Sequence, residues 1–363
     1  MQLCGTADSM LLVLGSVALL MSGCAASRAE KKPVPLWVHS AQSIGYPPHL
    51  VAFCPVGHLM AVQDNDDVEL WRTGTWTPTG RLTHAGGLQG FTPDGTRLLS
   101  RRGGNLLVWD IGTRRRIGGL HLAEASRVAL SLDGKSLATC TADGNVSVYS
   151  TRGLRLIRRK SLPILHDDTV STTALADADT LWVGTIAGAV SLWDLGTGKE
   201  LRRVQSPSAE KPAYPFANDV TVIKCSPRRR TTVIICQQGE DTKLRVLDVQ
   251  GREFPGVSAD DALSAEYSSD GSMLAQGDVS GSVSLWNMAD GTKYRMWMCS
   301  DRGWAEDLKS ITDLSFSPDR RFIACADREN RVSVWQIFDT RQPQPVGGHA
   351  PEISSRHGIS RRP

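Results

Sequence analysis

The sequence predicts an all-β protein built from a four-stranded unit that is repeated seven times. An alternating apolar and polar run that closes on an aromatic residue recurs along the chain, most clearly as LLVWDIG, VSLWDLG, VSLWNMA and VSVWQIF. Such period-two alternation is typical of strands with one buried face and argues against helices. Consecutive copies are 38 to 54 residues apart, and their closing positions are Trp71, Trp109, Tyr149, Trp193, Leu247, Trp286 and Trp335.

A turn signal precedes most copies of the aromatic run. It reads FCPVG, FTPDG, LSLDG, YSSDG and FSPDR, and each copy is followed by a short apolar run. Pro, Asp and Gly at these places predict a tight turn between two strands that lie before the aromatic strand. A shorter basic and apolar run after the aromatic strand completes a four-stranded antiparallel meander.

Together these residues resemble the WD-repeat β-propeller family over about residues 48–348. Trp109-Asp110 and Trp193-Asp194 match the dipeptide of that family, and the other five copies lack it. The resemblance implies a seven-bladed propeller, because one small sheet cannot bury both faces and must stack against neighbours. The turn Asp of the family is placed as expected only at Asp143 and Asp241, so we expect its Asp, His and Trp network to be largely missing.

The N-terminus has an apolar run, Met10 to Met21, that ends in Ser22-Gly23-Cys24. Twelve residues rise only about 18 Å as a helix, too short for a hydrocarbon core of roughly 30 Å, which favours a signal peptide. The segment resembles the lipobox of bacterial lipoproteins, which implies a lipid on Cys24. Because the first nine residues lack Lys and Arg and include Asp8, plain secretion, an uncleaved anchor and a cytoplasmic protein stay open.

We therefore predict a signal peptide at 1–23, a lipid-anchored tether at 24–47, a propeller at 48–350 and a disordered basic tail at 351–363. Two segments offer a strand to close the ring: QPQPVGG, which is weakened by its prolines, and VPLWVHS at residues 34–40. The protein is expected to be a monomer in the bacterial cell envelope, on the periplasmic or outer-membrane side.

Motifs for chemistry are absent from the sequence. Gly196, Gly198 and Lys199 look like the end of a phosphate-binding loop, but Trp193 and Glu200 stand where that loop needs Gly and Ser or Thr. The glycines are better explained by a tight turn. We find no Cys-x-x-Cys and no hydrolase or dinucleotide fingerprint, and we interpret six cysteines as buried thiols: Cys54, Cys140, Cys225, Cys236, Cys299 and Cys325.

No catalytic residue, metal or cofactor is therefore predicted, and a net charge of +3 is too small to indicate nucleic acid. The acidic run at 64–69 lacks the ligands of a calcium loop and is interpreted as a polar turn. Two alternatives remain: a propeller enzyme or small-ligand sensor that uses the central channel, and an intracellular WD-repeat adaptor with an uncleaved anchor.

Charge differs between the two predicted faces of the ring. Turns after first and third strands carry Arg114, Arg115, Arg116, Lys199, Arg228, Arg229, Arg230, Lys293, Arg320 and Arg321. The opposite face carries Asp64, Asp66, Asp67, Asp167, Asp168, Glu240, Asp241, Asp260, Asp261, Asp301, Glu306 and Asp307.

Two long connections, 205–219 and 297–309, fall on the acidic face and contain aromatic residues. Loops held by a rigid frame are where a partner site is expected. The sequence thus predicts a protein-binding scaffold, and the candidate partner-binding residues are Asp167, Asp168, Tyr214, Phe216, Asp301 and Trp304.

Overall fold

The computed structural model describes residues 35–40, 50–123, 126–164, 168–205, 219–227, 231–238, 241–248, 250–299, 310–329 and 331–337. Its strands form seven four-stranded sheets in which every neighbouring pair is antiparallel. Helices do not occur in these ranges. The predicted seven-bladed propeller of four-stranded antiparallel blades is confirmed.

Each of the first six blades is a continuous meander. Blade 1 contains β2 (Val51–Phe53), β3 (Leu59–Asp64), β4 (Asp67–Arg72) and β5 (Thr77–Leu82). Blade 2 contains β6 (Gly87–Phe91), β7 (Arg97–Arg102), β8 (Asn105–Asp110) and β9 (Arg115–His121). Blade 3 contains β10 (Arg127–Leu130), β11 (Ser136–Cys140), β12 (Asn145–Ser150) and β13 (Leu156–Ser161).

The second half of the ring repeats this order. Blade 4 contains β14 (Val170–Leu175), β15 (Thr180–Thr185), β16 (Ala189–Asp194) and β17 (Glu200–Gln205). Blade 5 contains β18 (Val220–Cys225), β19 (Thr232–Gln238), β20 (Asp241–Leu247) and β21 (Glu253–Asp260). Blade 6 contains β22 (Ala262–Tyr267), β23 (Met273–Asp278), β24 (Ser282–Asn287) and β25 (Thr292–Met298).

Blade 7 combines the two ends of the ring. Its first three strands are β26 (Ile311–Phe316), β27 (Phe322–Asp327) and β28 (Arg331–Gln336), and its fourth is β1 (Trp37–Ser40). Trp37 pairs with Val334 and Ser40 with Arg331 in an antiparallel register. Of the two strands that the sequence offers for ring closure, the N-terminal one takes this place, and QPQPVGG lies outside the described residues. An N-terminal strand thus completes the last blade and holds the ring shut.

The hydrophobic core is divided among the seams between blades. Seven clusters of buried side chains occur, and each combines residues of two neighbouring blades. The third-strand aromatic of a blade packs against the blade before it, as Trp193 of blade 4 does with Leu162 of blade 3. Six of the seven closing positions are buried, and Trp71 is half-buried. Trp109, Trp193, Trp286 and Trp335 belong to these clusters, and Trp71 packs against the cluster between blades 7 and 1.

A β-bulge recurs beside the closing position. The register of the third and fourth strands shifts directly before Trp71, Trp109, Tyr149, Trp193 and Trp286. Because a bulge adds twist and re-aims a side chain, this repeated irregularity directs the aromatic ring towards the neighbouring blade.

The stretch that resembles a phosphate loop is a turn between β16 and β17. The Asp194 carboxylate accepts a hydrogen bond from the Thr197 backbone N–H at 2.7 Å, and the Gly198 N–H donates to the Asp194 carbonyl at 2.8 Å. Gly198 has a φ of +76°, which side chains other than Gly rarely adopt. The interpretation of these glycines as a tight reversal is confirmed.

Candidate functional site

The innermost strands of the ring are the first strands of each blade, and polar side chains link them across the seams. The Ser171 hydroxyl donates to the Val220 carbonyl and the Ser264 hydroxyl to the Ile311 carbonyl, both at 2.8 Å. The Phe53 N–H donates to the Ser315 hydroxyl at 2.9 Å. These bonds connect blades 4 and 5, blades 6 and 7, and blades 7 and 1, so polar groups of the first strands help to hold neighbouring blades together.

Asp313 makes the strongest of these links, at the junction where the ring closes. One of its carboxylate oxygens accepts the backbone N–H groups of Leu50 and Val51, at 2.8 and 3.0 Å. The side chain is only 7% exposed. Charge-assisted hydrogen bonds of this kind are about twice as strong as neutral ones, and loss of the carboxylate would leave two buried donors unpaired.

A lysine and a glutamate face each other between blades 5 and 6. The Lys224 ammonium lies 3.0 Å from the Glu266 carboxylate. Burial disfavours the charged form of Lys224, but the carboxylates of Glu266 and Asp313 outweigh it and raise the pKa of Lys224 above its usual value. The pair is thus a charged link between blades, and the lysine is not a neutral base.

Asp219 is the exception in this inner region. It stands just before β18, and one carboxylate oxygen is buried without a hydrogen-bond partner. Burial raises the pKa of Asp219 above its usual value, and Ser171 and Arg127 oppose the rise only in part. A half-buried carboxylate with one oxygen left without a partner costs stability at neutral pH.

Hydrogen bonds from the buried indoles replace the expected family network in part. The indole N–H of Trp109 donates to the Ser100 hydroxyl at 2.9 Å, in the neighbouring strand of the same blade. Those of Trp193 and Trp335 donate instead to a serine two residues earlier in their own strand, at 2.7 and 2.8 Å. A serine also stands two positions before Trp286, but the indole N–H of Trp286 is buried without a partner, so the pattern VSLW alone does not predict the bond.

The predicted basic face is less uniformly charged than the sequence suggests. The Arg320 guanidinium lies 2.5 Å from the Asp270 carboxylate and links blades 7 and 6. Lys293 lies over the ring of Trp286, with its Nζ 4.7 Å from the ring centroid. Arg114 lies over Gly80 so closely that a Cβ there would be 2.5 Å from its Nε. Much of the basic charge therefore serves contacts within the ring, and Arg228, Arg229 and Arg230 lie outside the described residues.

The acidic run of blade 1 is also paired internally. Arg81 contacts the carboxylates of Asp64 at 2.5 Å, Asp67 at 3.2 Å and Glu69 at 2.7 Å. Arg102 lies 2.7 Å from the Asp66 carboxylate. The interpretation of this run as a polar turn is confirmed, and its charge is offset by arginines that the face analysis of the sequence did not include.

An open groove of about 520 Å³ lies between blades 1 and 2. Its polar lining includes His84, Arg102, Asn105 and Arg116, and the edge of Trp109 reaches it. His84 and Arg102 both contact Asp66, so two of the groove's polar side chains already have a partner.

Most of the predicted partner-binding residues fall outside the described part of the chain, namely Asp167, Tyr214, Phe216, Asp301 and Trp304. The lipidation candidate Cys24 does so as well. Asp168 is described, and its carboxylate accepts the backbone N–H groups of Thr169 at 2.8 Å and Ala187 at 3.2 Å. The structure thus gives Asp168 a role in shaping its own turn.

One boundary of the predicted loops is wrong. The second long connection does not start at Trp297, because β25 continues to Met298. Trp297 is 5% exposed and packs near Trp335, with the ring centroids 6.2 Å apart. In β25 the buried Trp297 stands between the exposed Met296 and Met298, which is the period-two pattern of a strand.

The cysteines behave largely as the sequence analysis expects. All six in the described residues are free thiols, and four of them are buried. Burial raises the pKa values of Cys140 and Cys225 to about 12. Such thiols are protonated near neutral pH and are poor nucleophiles and poor metal ligands. Among the residues that the structure describes, no group of three or more His, Cys, Asp or Glu is arranged to hold a metal ion.

Seven four-stranded antiparallel blades, closed by an N-terminal strand and filled at their seams by third-strand aromatics, define the class of the protein. The chain is a seven-bladed β-propeller, and its repeats are similar to those of WD-repeat proteins. A sequence model described as "WD domain, G-beta repeat" matches residues 305–336, which contain the first three strands of blade 7.

Two similar proteins match about two thirds of the chain at low identity. Apoptotic protease-activating factor 1 of Rattus norvegicus is 24% identical over 241 residues, covering 65% of this chain and 18% of the relative. Transcription factor unc-37 of Caenorhabditis elegans is 24% identical over 252 residues, covering 68% of this chain and 37% of the relative. The chain therefore spans well under half the length of these relatives.

Solved propellers agree with the fold. The β-propeller domain of Cps50 (Swd1) from Myceliophteria thermophila gives a TM-score of 0.64 at 15% identity, covering 83% of this chain and all of that domain. A chain of the Mitotic Checkpoint Complex gives a TM-score of 0.65 at 16% identity, covering 92% of this chain. At such identities the likeness extends to the fold alone.

Proposed function

We propose that the chain is a non-catalytic scaffold that binds another protein through the loops of one face. The observation that carries this proposal is the placement of the two longest gaps between strands. One lies between β17 and β18, the other between β25 and β26, and both join a fourth strand to the next first strand. In an antiparallel meander such connections all leave from the same face of the ring. The strand ends that flank residues 206–218 and 300–309 therefore lie on one face.

The rigidity of the ring supports the proposal. Every seam has a polar link besides its apolar cluster, including those at Gln63 to Leu88 and Arg101 to Ser126. A frame held in this way can present loops in a fixed arrangement, which lowers the entropy lost when a partner binds. WD-repeat propellers generally mediate protein–protein interaction, which favours the same role here.

The proposed location is the bacterial cell envelope, with a lipid on Cys24 holding the ring at the membrane. The apolar run before Cys24 and the polar tether after it support this part of the proposal. In the described residues, no helix has the length and apolar character needed to span a bilayer. The ring begins at β1, so residues 25–36 would separate it from the lipid.

The use of the central channel for catalysis or small-ligand sensing has less support. That function would need a cluster of His, Glu and Arg at the channel mouth. The described inner strands instead place Lys224 against Glu266 and bind Asp313 to backbone N–H groups.

The test of the proposal is a cross-linking pull-down from an envelope fraction with the full chain. Asp167→Lys and Trp304→Ala are expected to lower capture of the partner at least about tenfold, because hot-spot residues carry most of the binding energy. Asp167 is preferred to Asp168, whose carboxylate shapes a turn. Lys135→Glu, an 85% exposed side chain on the opposite face, is the matched charge reversal and should leave capture unchanged.

Two results would contradict the proposal. Equal capture by wild type and both loop variants would remove this face as the binding surface. A mature N-terminus that still contains residues 1–23, or a Cys24 without acyl chains in the mass spectrum of the same sample, would remove the lipid anchor.

A further inference from the structure

Two cysteines of neighbouring blades meet at the seam between blades 6 and 7. Cys299 directly follows β25, the outer strand of blade 6, and Cys325 lies within β27 of blade 7. Their Sγ atoms are 3.1 Å apart, although the residues are 26 positions apart in the sequence. A disulfide bond is about 2.05 Å long, so the two sulfurs would need to approach by only about 1 Å.

The surroundings hold both sulfurs in this position. Cys325 is 1% exposed and belongs to the apolar cluster that also contains Trp297 and Trp335. Cys299 packs against the same cluster, and its backbone N–H donates to the Gly281 carbonyl at 2.9 Å. The approach of the thiols is therefore fixed by the packing of two blades, and not by one flexible loop.

We propose that Cys299 and Cys325 form a disulfide between blades 6 and 7 when the chain folds in the presence of an oxidising disulfide. The thiolate of one cysteine attacks a sulfur of the external disulfide, which gives a mixed disulfide and releases one external thiolate. The second cysteine then attacks the protein sulfur of the mixed disulfide and releases the other external thiolate. Two protein thiols are oxidised, the external disulfide is reduced to two thiols, and the two protons end on those thiols.

The order of folding and oxidation follows from burial. Burial, together with the adjacent Cys325, raises the pKa of the Cys299 thiol well above its usual value. The folded and reduced protein therefore offers little thiolate, and an external disulfide has poor access. Oxidation is expected before blade 7 packs onto blade 6, and the finished bond is then shielded from reductants.

The bond would secure the blade that closes the ring. Blade 7 already depends on β1 for its fourth strand, and a covalent link to blade 6 would constrain its other side. Cross-linking two residues 26 positions apart restricts the unfolded chain. For a ring of this size we expect the melting temperature to rise by roughly 5 °C.

The experiment uses the full chain, unfolded and reduced, then refolded with a mixture of oxidised and reduced glutathione. Free thiols are alkylated in denaturant and the chain is digested with trypsin. The expected product is MWMCSDR, residues 296–302, joined to FIACADR, residues 322–328. Protein that is kept folded while reduced should form this product at least about tenfold more slowly.

Variants separate the bond from general effects of thiols. A reductant should lower the melting temperature of oxidised wild type by roughly 5 °C and should leave Cys299→Ser unchanged. Cys225→Ser, at another half-buried cysteine, should keep both the linked peptide and the response to reductant. Recovery of both wild-type peptides as separate alkylated species after oxidative refolding would overturn the proposal, as would pairing of either cysteine with a different thiol.

Discussion

Replacement of Trp193 by alanine tests the assignment of the seams. Trp193 is 3% exposed and lies in the cluster between blades 3 and 4, with its indole N–H bound to the Ser191 hydroxyl. An indole removes about 200 Å² from water, which at about 25 cal/mol per Å² gives an upper value of about 5 kcal/mol. Because the seam can relax only in part, we expect a loss of about 3–5 kcal/mol in the free energy of unfolding.

The assay is urea unfolding followed by far-UV circular dichroism and tryptophan fluorescence. The midpoint should fall without a change in slope, and the melting temperature should drop by roughly 5–8 °C. Trp193→Phe keeps an aromatic ring and loses the hydrogen bond, so its loss should be only about 1–2 kcal/mol. Trp71→Ala, at the half-buried closing position of blade 1, should lower the free energy of unfolding by less than Trp193→Ala does. A Trp193→Ala protein within about 1 kcal/mol of wild type would refute the seam assignment.

Three further changes address the polar links of the ring. Asp313→Ala leaves two buried N–H groups unpaired and should cost about 2–5 kcal/mol in urea unfolding. Burial alone would raise the pKa of Asp270, but hydrogen bonds from Ser272 and the charge of Arg320 outweigh it and lower this pKa. The stability that the Asp270 carboxylate contributes is therefore fully present above the pKa of the unfolded state, and it is lost as pH falls through the lower pKa of the folded state. Asp270→Asn should therefore flatten the fall in melting temperature between about pH 5 and pH 2. The pKa of Asp219 is shifted in the opposite direction, because burial raises it. The stability that the protonated Asp219 contributes is present below the pKa of the unfolded state, and it is lost as pH rises through the raised pKa of the folded state. Asp219→Asn should therefore raise the melting temperature more at pH 7 than at pH 4.

Matched variants and contrary results complete these tests. Thr312→Ala, next to Asp313 and only part-buried, should cost less than about 1 kcal/mol, and an equal loss in both variants would contradict the ring-closing role. An unchanged acid profile for Asp270→Asn would show that its bonds do not survive in solution. A lower stability of Asp219→Asn than of wild type at pH 7 would contradict the cost assigned to this half-buried carboxylate.

Much of the fold could be predicted because each repeat consists of short local sequence patterns. Period-two alternation, a turn of Pro, Asp or Gly, and a closing aromatic recur in nearly every blade, so one inference applies seven times. Even Gly198 could be assigned to a turn, since the phosphate-loop template failed at neighbouring residues. The serine before Trp193 and Trp335 is part of the same local pattern, although its hydrogen bond became visible only with the structure.

Features that depend on pairing between distant residues could not be predicted. The sequence offered two strands for ring closure, and only the sheet order selected Trp37–Ser40. It assigned charges to faces by turn position, but the structure showed that Arg81 neutralises much of the acidic run of blade 1. Trp297 was placed in a loop because its burial depends on a neighbouring blade.

The sequence by itself determined the class of this protein: an all-β ring of seven repeats with an aromatic residue near the end of six of the seven third strands. Strand periodicity and turn chemistry are local properties, and they can be recognised from one amino-acid sequence. Only the tertiary structure decided which groups meet across the seams, such as Asp313 with the N–H groups of Leu50 and Val51, and Cys299 with Cys325. These contacts join residues that are 26 to 263 positions apart. The packing of neighbouring blades brings them together, and for Asp313 that packing requires the ring to close.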